Sequence, residues 1–163
     1  MDGPSRSHLE VAIIGAGFGG LGLGARLVQR GQRNFRIFDK AAGVGGTWWA
    51  NRYPGCACDV PSHLYSLSFA PNPDWTRRFA PRAEIQAYLA RCVEKFGLGP
   101  HLVLGNGIER AAWDESSRVW RLTDSLSGAW SADVLVSAIG GLSRPVWPDI
   151  DGLHDFSGPV FHS

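Results

Sequence analysis

The sequence predicts an α/β fold in which a parallel sheet is joined by a small antiparallel β-meander. First, the apolar run at residues 11–14 leads directly into glycines and then into a helical pattern, an order typical of a strand, a turn and a helix. Second, another apolar segment at residues 35–38 follows that helix and completes a βαβ unit. Third, short strand patterns between residues 108 and 136 are separated by turn-rich segments, which favours antiparallel pairing.

The turn after the first predicted strand has the glycine spacing G-x-G-x-x-G at Gly15, Gly17 and Gly20. The first glycine permits a tight turn, the second lets the backbone approach a phosphate, and the third lets the helix pack closely on the strand. The N-terminus of the helix also favours an anion. Asp39 follows Gly20 by nineteen residues, close to the separation of a carboxylate that binds ribose hydroxyls. The pattern predicts a Rossmann-like dinucleotide site for NAD or FAD equally, and the alternative is a glycine-rich turn without a ligand.

Composition narrows the class of protein. The 163 residues are enough for one domain with a core, and 44% of them are hydrophobic. The net charge is +1 and the basic residues are scattered, so a nucleic-acid surface is not expected. No signal peptide or apolar run long enough to cross a membrane is found. The odd number of cysteines, three, favours a reducing cytoplasm over a disulfide framework. Cys56 and Cys58 have a C-x-C spacing that fits zinc poorly, so no metal site is expected.

The remaining elements follow from periodicity and turn residues. Residues 1–8 are polar and predict a flexible leader. Apolar positions at helical spacing predict helices over 21–30 and 82–96, each followed by a glycine, and residues 64–75 are expected to be irregular. Strands are predicted at 101–104, 108–113, 118–123 and 129–136, the last continuing toward Ile139 and a glycine turn at Gly140. Ligands bind at this carboxyl edge of such sheets.

The segment 40–63 has no sustained period and is longer than most structureless loops. It contains Trp48, Trp49 and Tyr53 beside glycines. These aromatic side chains could form a wall against a flat ligand, or they could simply seal the core. The residues alone leave both alternatives open.

Taken together, these motifs resemble those of the Baeyer–Villiger monooxygenases, a family within the flavin-containing monooxygenases. The resemblance extends from residue 9 to residue 163, and Ile139 departs mildly from it, since threonine is common there. Residues 156–162 resemble the opening of the signature F-x-G-x-x-x-H-x-x-x-W, whose tryptophan would follow residue 163. The other matching segments are Gly-Ala-Gly-Phe-Gly-Gly at 15–20, Gly-Gly-Thr-Trp at 45–48, Asn-Arg-Tyr-Pro-Gly at 51–55, Cys-Asp at 58–59 and Gly-Gly-Leu-Ser at 140–143.

The resemblance implies FAD as the cofactor and assigns residues to it. The glycines would face the pyrophosphate, Asp39 would bind the adenosine ribose, and Trp48 with its neighbours would contact the flavin side. Asp59 is the implied catalytic residue, paired with an arginine beyond residue 163; the alternative is an aspartate that caps local N–H groups. The full set of cofactor residues implied is Gly15, Gly17, Phe18, Gly19, Gly20, Asp39, Lys40, Gly46, Thr47, Trp48, Asp59, Tyr65 and Ile108.

The resemblance also implies a larger parent protein. Residues 9–141 would form the FAD-binding Rossmann-like domain, and 142–163 would be a linker toward an NADPH-binding domain, for which no second G-x-G-x-x-G occurs after Gly20. The chain is therefore expected to be an amino-terminal fragment. The implied reaction uses NADPH and O₂ to convert a small-molecule ketone into an ester or lactone. The alternatives are a catalytically inert fragment and an N- or S-oxygenating enzyme, and the oligomeric state is left open.

Overall fold

The computed structural model describes residues 7–162. It contains three α-helices and six β-strands within that range. The helices are α1 (Phe18–Gln29), α2 (Thr47–Ala50) and α3 (Arg82–Lys95); the strands are β1 (Ser7–Ile14), β2 (Phe35–Asp39), β3 (Leu102–Leu104), β4 (Ile108–Asp114), β5 (Val119–Asp124) and β6 (Ala129–Ser137).

The six strands form one sheet in the order β3-β2-β1-β6-β5-β4. Strand β1 lies at its centre, parallel to both β2 and β6, and β3 pairs parallel with β2. Strands β4, β5 and β6 pair antiparallel with one another. The predicted α/β class is confirmed, because the meander returns to the parallel sheet through β6.

Alternate residues of the central strands point to opposite faces of the sheet. On one face Ile13 and Ile37 pack with buried residues of α1 and α3, such as Leu21 and Leu89. On the other face Ala12 belongs to a smaller cluster with residues of the meander. Helix α1 packs closely on β2, since a Cβ at Gly24 would lie 2.7 Å from Cδ1 of Ile37.

Several boundaries differ from the predictions. Strand β1 begins at Ser7, so the last two residues assigned to the leader are in the sheet, and residues 1–6 lie outside the described part. Helix α1 begins at Phe18, three residues before the predicted start, because the glycines of the turn already adopt helical geometry. Strand β6 ends at Ser137 rather than Ile139. The last backbone hydrogen bond seen from this segment to β1 is the one from the Ala138 N–H to the Ile14 carbonyl, at 2.8 Å.

Residues 142–162 contain no helix or strand and are largely exposed. Their role as a linker stays a prediction. Within residues 7–162, no helix is long and apolar enough to cross a membrane.

Candidate dinucleotide site

The glycine turn between β1 and α1 leaves no room for larger residues at two positions. Gly15 has a φ of +110°, and a Cβ there would lie 2.4 Å from the carbonyl oxygen of Ala138. A Cβ at Gly20 would lie 1.8 Å from the carbonyl oxygen of Gly15. The first and third glycines therefore do what the sequence motif predicts, namely a tight turn and close packing of the helix.

Helix α1 presents an uncapped N-terminus at this turn. Its N-cap is Gly17, no side chain caps it, and its first turn contains no acidic residue. Among residues 7–162, no protein acceptor bonds the backbone N–H of Phe18, Gly19 or Gly20. These N–H groups and the helix dipole together favour an anionic group at this point.

A second glycine turn faces the first one. Gly45 and Gly46 both have positive φ values, +135° and +55°, and the Gly45 N–H donates to the Ala16 carbonyl at 2.9 Å. A Cβ at Gly46 would lie 3.2 Å from the Cα of Gly17. The two turns approach closely only because both positions lack side chains.

Aromatic side chains stand beside these turns. The Trp48 indole Nε1–H donates to the Tyr65 hydroxyl at 3.1 Å, and their rings meet edge to face with centroids 5.5 Å apart. The Phe18 ring meets the Tyr65 ring edge to face at 5.0 Å. Burial raises the pKa of Tyr65 above its ordinary value, although the hydrogen bond from Trp48 opposes the rise. Tyr65 therefore stays a neutral hydroxyl at physiological pH.

The turns and the aromatic residues line one cleft of about 200 Å³. It brings together seven of the residues predicted for the site: Gly17, Phe18, Gly19, Gly46, Thr47, Trp48 and Tyr65. It also includes four residues outside the predicted set: Gly45, Ala138, Ile139 and Gly140. The last three follow β6 at the carboxyl edge of the sheet, where the glycine turn at Gly140 was the available sequence signal. Among the residues that the structure describes, no acidic side chain lines the cleft.

In the aromatic loop at residues 40–63, Trp48 meets both alternatives that the sequence left open, a wall against a ligand and a seal of the core. It is buried in the main core and it also lines the cleft. Trp49 has a structural role, since a Cβ at Gly43 would lie 2.2 Å from its ring, while Tyr53 is exposed. One loop therefore both seals the core and builds a wall of the cleft, and Trp48 takes part in both.

Asp39 contacts the glycine turn but lies outside the cleft lining. Its carboxylate accepts the Ala16 N–H at 2.7 Å through Oδ2 and the Ala41 N–H at 2.8 Å through Oδ1. The carboxylate thus fastens the glycine turn to the segment after β2. A carboxylate offers about four acceptor positions, so it keeps capacity for further donors.

Lys40 directly follows Asp39, and the segment that leads into Ile108 contacts both of these residues. The Asn106 N–H donates to the Asp39 carbonyl at 3.1 Å, and a Cβ at Gly107 would lie 3.0 Å from Cβ of Lys40. Strand β4 then begins at Ile108. Neither Lys40 nor Ile108 lines the cleft.

Asp59 also lies outside the cleft lining and is exposed. Within residues 7–162 its carboxylate makes no hydrogen bond and no ion pair, so the capping role considered for it is not seen. The preceding Cys58 is buried, and this burial raises the pKa of its thiol. The Val60 N–H donates a hydrogen bond to Sγ at 3.3 Å, which opposes the rise. A buried Cys58 anchors a loop on which Asp59 points to solvent.

Comparison with known proteins agrees with this geometry. The family described as NAD(P)-binding Rossmann-like domain matches residues 13–81. A Baeyer–Villiger monooxygenase of Pseudomonas aeruginosa is 54% identical over 156 residues, which are 96% of this chain and 30% of that protein. The resemblance to the Baeyer–Villiger monooxygenases is confirmed. The Baeyer–Villiger monooxygenase of Streptomyces coelicolor is 53% identical over the same shares of the two chains.

Solved structures of monooxygenases have the same fold over this region. A steroid monooxygenase bound to NADP superposes with a TM-score of 0.81 and 36% identity, over 93% of this chain and 30% of that one. The cyclohexanone monooxygenase from Rhodococcus sp. Phi1 bound to NADP⁺ gives 0.82 and 35%, over 94% and 30%. The chain therefore spans about 30% of the length of these monooxygenases.

Proposed function

We propose that this chain is the FAD-binding portion of an NADPH-dependent flavoprotein monooxygenase of the Baeyer–Villiger type. The observation that carries the proposal is the pair of facing glycine turns, at Gly17 and Gly46, beside the uncapped N-terminus of α1. The two Baeyer–Villiger relatives, each more than half identical to the chain over 96% of its length, support the same function.

The residues present fit FAD. The N–H groups of Phe18, Gly19 and Gly20 suit a pyrophosphate, and no acidic side chain from the described part of the chain lines the cleft and repels it. The rings of Phe18, Trp48 and Tyr65 provide an apolar wall for a flat aromatic group. When bound, FAD supplies the electron transfer and the oxygen chemistry of the reaction.

The chain's own residues would hold and orient the cofactor. The α1 N-terminus would bind the pyrophosphate, with Gly15 and Gly20 shaping the turn. Asp39 would accept hydrogen bonds from the adenosine ribose, with Lys40 and Ile108 nearby. On the flavin side, three residues would line the cofactor together with Tyr65 and exclude water, namely Gly46, Thr47 and Trp48. Asp59 would be the catalytic carboxylate.

The proposed substrate is a small-molecule ketone, which O₂ and NADPH would convert to an ester or lactone. Residues 9–141 would form the FAD domain, and 142–163 would link it to an NADPH-binding domain. A cytoplasmic location fits the three cysteines, which are all free thiols within the described residues.

One observation favours a second activity. A phenazine N-monooxygenase from Lysobacter antibioticus is 37% identical over 162 residues, covering 97% of this chain and 30% of that protein. An N-oxygenating parent protein is therefore the second candidate. The Asn-Arg-Tyr-Pro-Gly run at residues 51–55 favours the Baeyer–Villiger reaction.

The experiment is to purify residues 1–163, add FAD, remove excess and record flavin absorbance, then add NADPH with a ketone. We expect bound flavin without NADPH oxidation, because the chain contains one glycine fingerprint and spans 30% of its relatives. Failure to retain FAD would contradict the proposed site. NADPH oxidation coupled to ester formation would contradict the inert behaviour expected of the isolated chain.

A further inference from the structure

A second cavity, of about 410 Å³, lies between the loop at residues 52–57 and the start of α3. It shares no lining residue with the glycine cleft. Three arginines line it, namely Arg52, Arg77 and Arg82, together with the rings of Tyr53 and Phe79. Its volume lies within the range of about 300–1,000 Å³ that is usual for small-molecule sites.

The arginines of this cavity have no carboxylate partner in its described lining. Within residues 7–162, no acidic residue lines the cavity, and none of the three guanidinium groups forms an ion pair with a carboxylate. The one acid in the first turn of α3, Glu84, is engaged elsewhere, accepting hydrogen bonds from Thr76 N–H and Oγ1–H at 2.9 and 3.2 Å. A cleft lined by charges of one sign focuses its field on an incoming counter-ion.

Two of the arginines are already oriented. Arg52 Nε and Arg82 Nη2 both donate to the Trp49 carbonyl oxygen, at 3.2 and 3.3 Å. The Arg52 guanidinium also lies over the Trp49 ring, 4.9 Å from its centroid. Their remaining N–H groups are left for another acceptor, at a lower entropic cost than two free side chains would carry.

The N-terminus of α3 adds to this field. Its N-cap is Pro81 and no side chain caps it, and residues 81–83 line the cavity. The loop is tied to the same helix end, since the Arg82 N–H donates to the Cys56 carbonyl at 2.9 Å. The arginines and the helix dipole therefore act on the same volume.

We propose that this cavity binds a phosphate dianion through Arg52, Arg77 and Arg82. Guanidinium groups match phosphate oxygens in geometry and charge, and several cations suit a dianion better than a single carboxylate. The phosphate would come either from free inorganic phosphate or from a nucleoside monophosphate. Tyr53 and Phe79, which are 49% and 44% exposed, are positioned at the same cavity for a base to stack on.

The test is calorimetric titration of residues 1–163 with inorganic phosphate and, separately, with AMP, at two salt concentrations. Arg77→Gln and Arg82→Gln should each weaken binding of either probe roughly tenfold, because each removes one charge-assisted hydrogen bond. Arg91→Gln is the matched control, since Arg91 is an exposed arginine of the same helix α3 and lies outside this cavity. Circular dichroism checks that each variant is folded.

The two probes distinguish the source of the phosphate. Tighter binding of AMP, weakened by Phe79→Leu without an effect on inorganic phosphate, would support a nucleotide, and equal affinities would support free phosphate. Absence of saturable binding would overturn the proposal, as would an equal loss with Arg91→Gln. Phosphate affinity that is unchanged by Arg77→Gln and Arg82→Gln would indicate binding elsewhere, such as at the N-terminus of α1. That result would refute this site without contradicting the proposed FAD site.

Discussion

Replacement of Asp39 by alanine tests how the proposed dinucleotide site is built. The carboxylate accepts backbone N–H groups of Ala16 and Ala41 at 2.7 and 2.8 Å, so the variant leaves two donors without their acceptor. A hydrogen bond to a charged group contributes about 1.5–3 kcal/mol. Asp39 is half-buried and water can replace part of the loss, so we expect the free energy of unfolding without FAD to fall by about 2–4 kcal/mol.

Urea denaturation of the FAD-free chain measures this loss. Asp39→Asn should lose about half as much, because its single amide oxygen replaces one acceptor and its NH₂ group faces the other N–H. Asp74→Ala is the control, since Asp74 is exposed and its carboxylate has no hydrogen bond within residues 7–162. It should change stability by less than about 0.5 kcal/mol.

A cofactor analogue separates the two roles of Asp39. If the carboxylate both shapes the turn and binds the ribose, Asp39→Ala should weaken binding of FAD more than binding of an analogue with a 2′-deoxyadenosine, which lacks one of the hydroxyls that the carboxylate would bind. The loss that remains with the analogue then reports the role in shaping the turn. Flavin fluorescence quenching gives both dissociation constants. Unchanged stability of the FAD-free variant would refute the structural role, and unchanged affinity for FAD would refute the adenosine assignment.

Two further predictions concern stability. Gly20→Ala should destabilise the chain by at least about 2 kcal/mol, because its Cβ would lie 1.8 Å from the Gly15 carbonyl oxygen. Gly99→Ala is the control, since no described atom lies within 4 Å of a Cβ at that position. Equal urea midpoints for the two variants would contradict the close contact between Gly20 and Gly15. Burial raises the pKa of Asp124, but hydrogen bonds from Trp130 Nε1–H and backbone N–H groups outweigh it and hold the pKa below its ordinary value. Asp124 therefore stabilises the fold above its ordinary pKa, and this contribution should be lost as pH falls below about 4. Asp124→Asn should flatten the dependence of urea midpoints on pH, and an unchanged slope would count against the assignment.

Local patterns were sufficient to predict the centre of the fold. Strand β1, helix α1 and strand β2 follow one another with strong periodicity, and the position of Asp39 follows from the spacing alone. The meander was predictable because turn residues separate its strands at regular intervals. Helix α2 was not predictable, because four residues are too few to produce a helical period.

The site was only partly predictable, for a physical reason. Seven predicted residues meet in the cleft, but Ala138 and Ile139 join them only because β6 pairs with β1 from more than 120 residues away in the sequence. The contact between Gly17 and Gly46 is likewise set by tertiary packing. The second role of Asp39, as acceptor for two backbone N–H groups, has no sequence signal beyond the residue type.

This long-range construction has a consequence for cofactor binding. The cleft needs the Gly15 turn against Ala138, the Gly45 N–H on the Ala16 carbonyl, and β6 beside β1. None of these contacts forms within one local element, so the cleft exists only when β6 has paired with β1 and the loop after β2 has packed on the turn. A ligand that binds this cleft binds the native state and not the unfolded chain, so it should stabilise the chain against global unfolding, increasingly as its concentration rises above its dissociation constant. A partly folded chain with β1, α1 and β2 alone would keep the glycine fingerprint and Asp39, yet it would lack the wall that Ala138 and Ile139 provide.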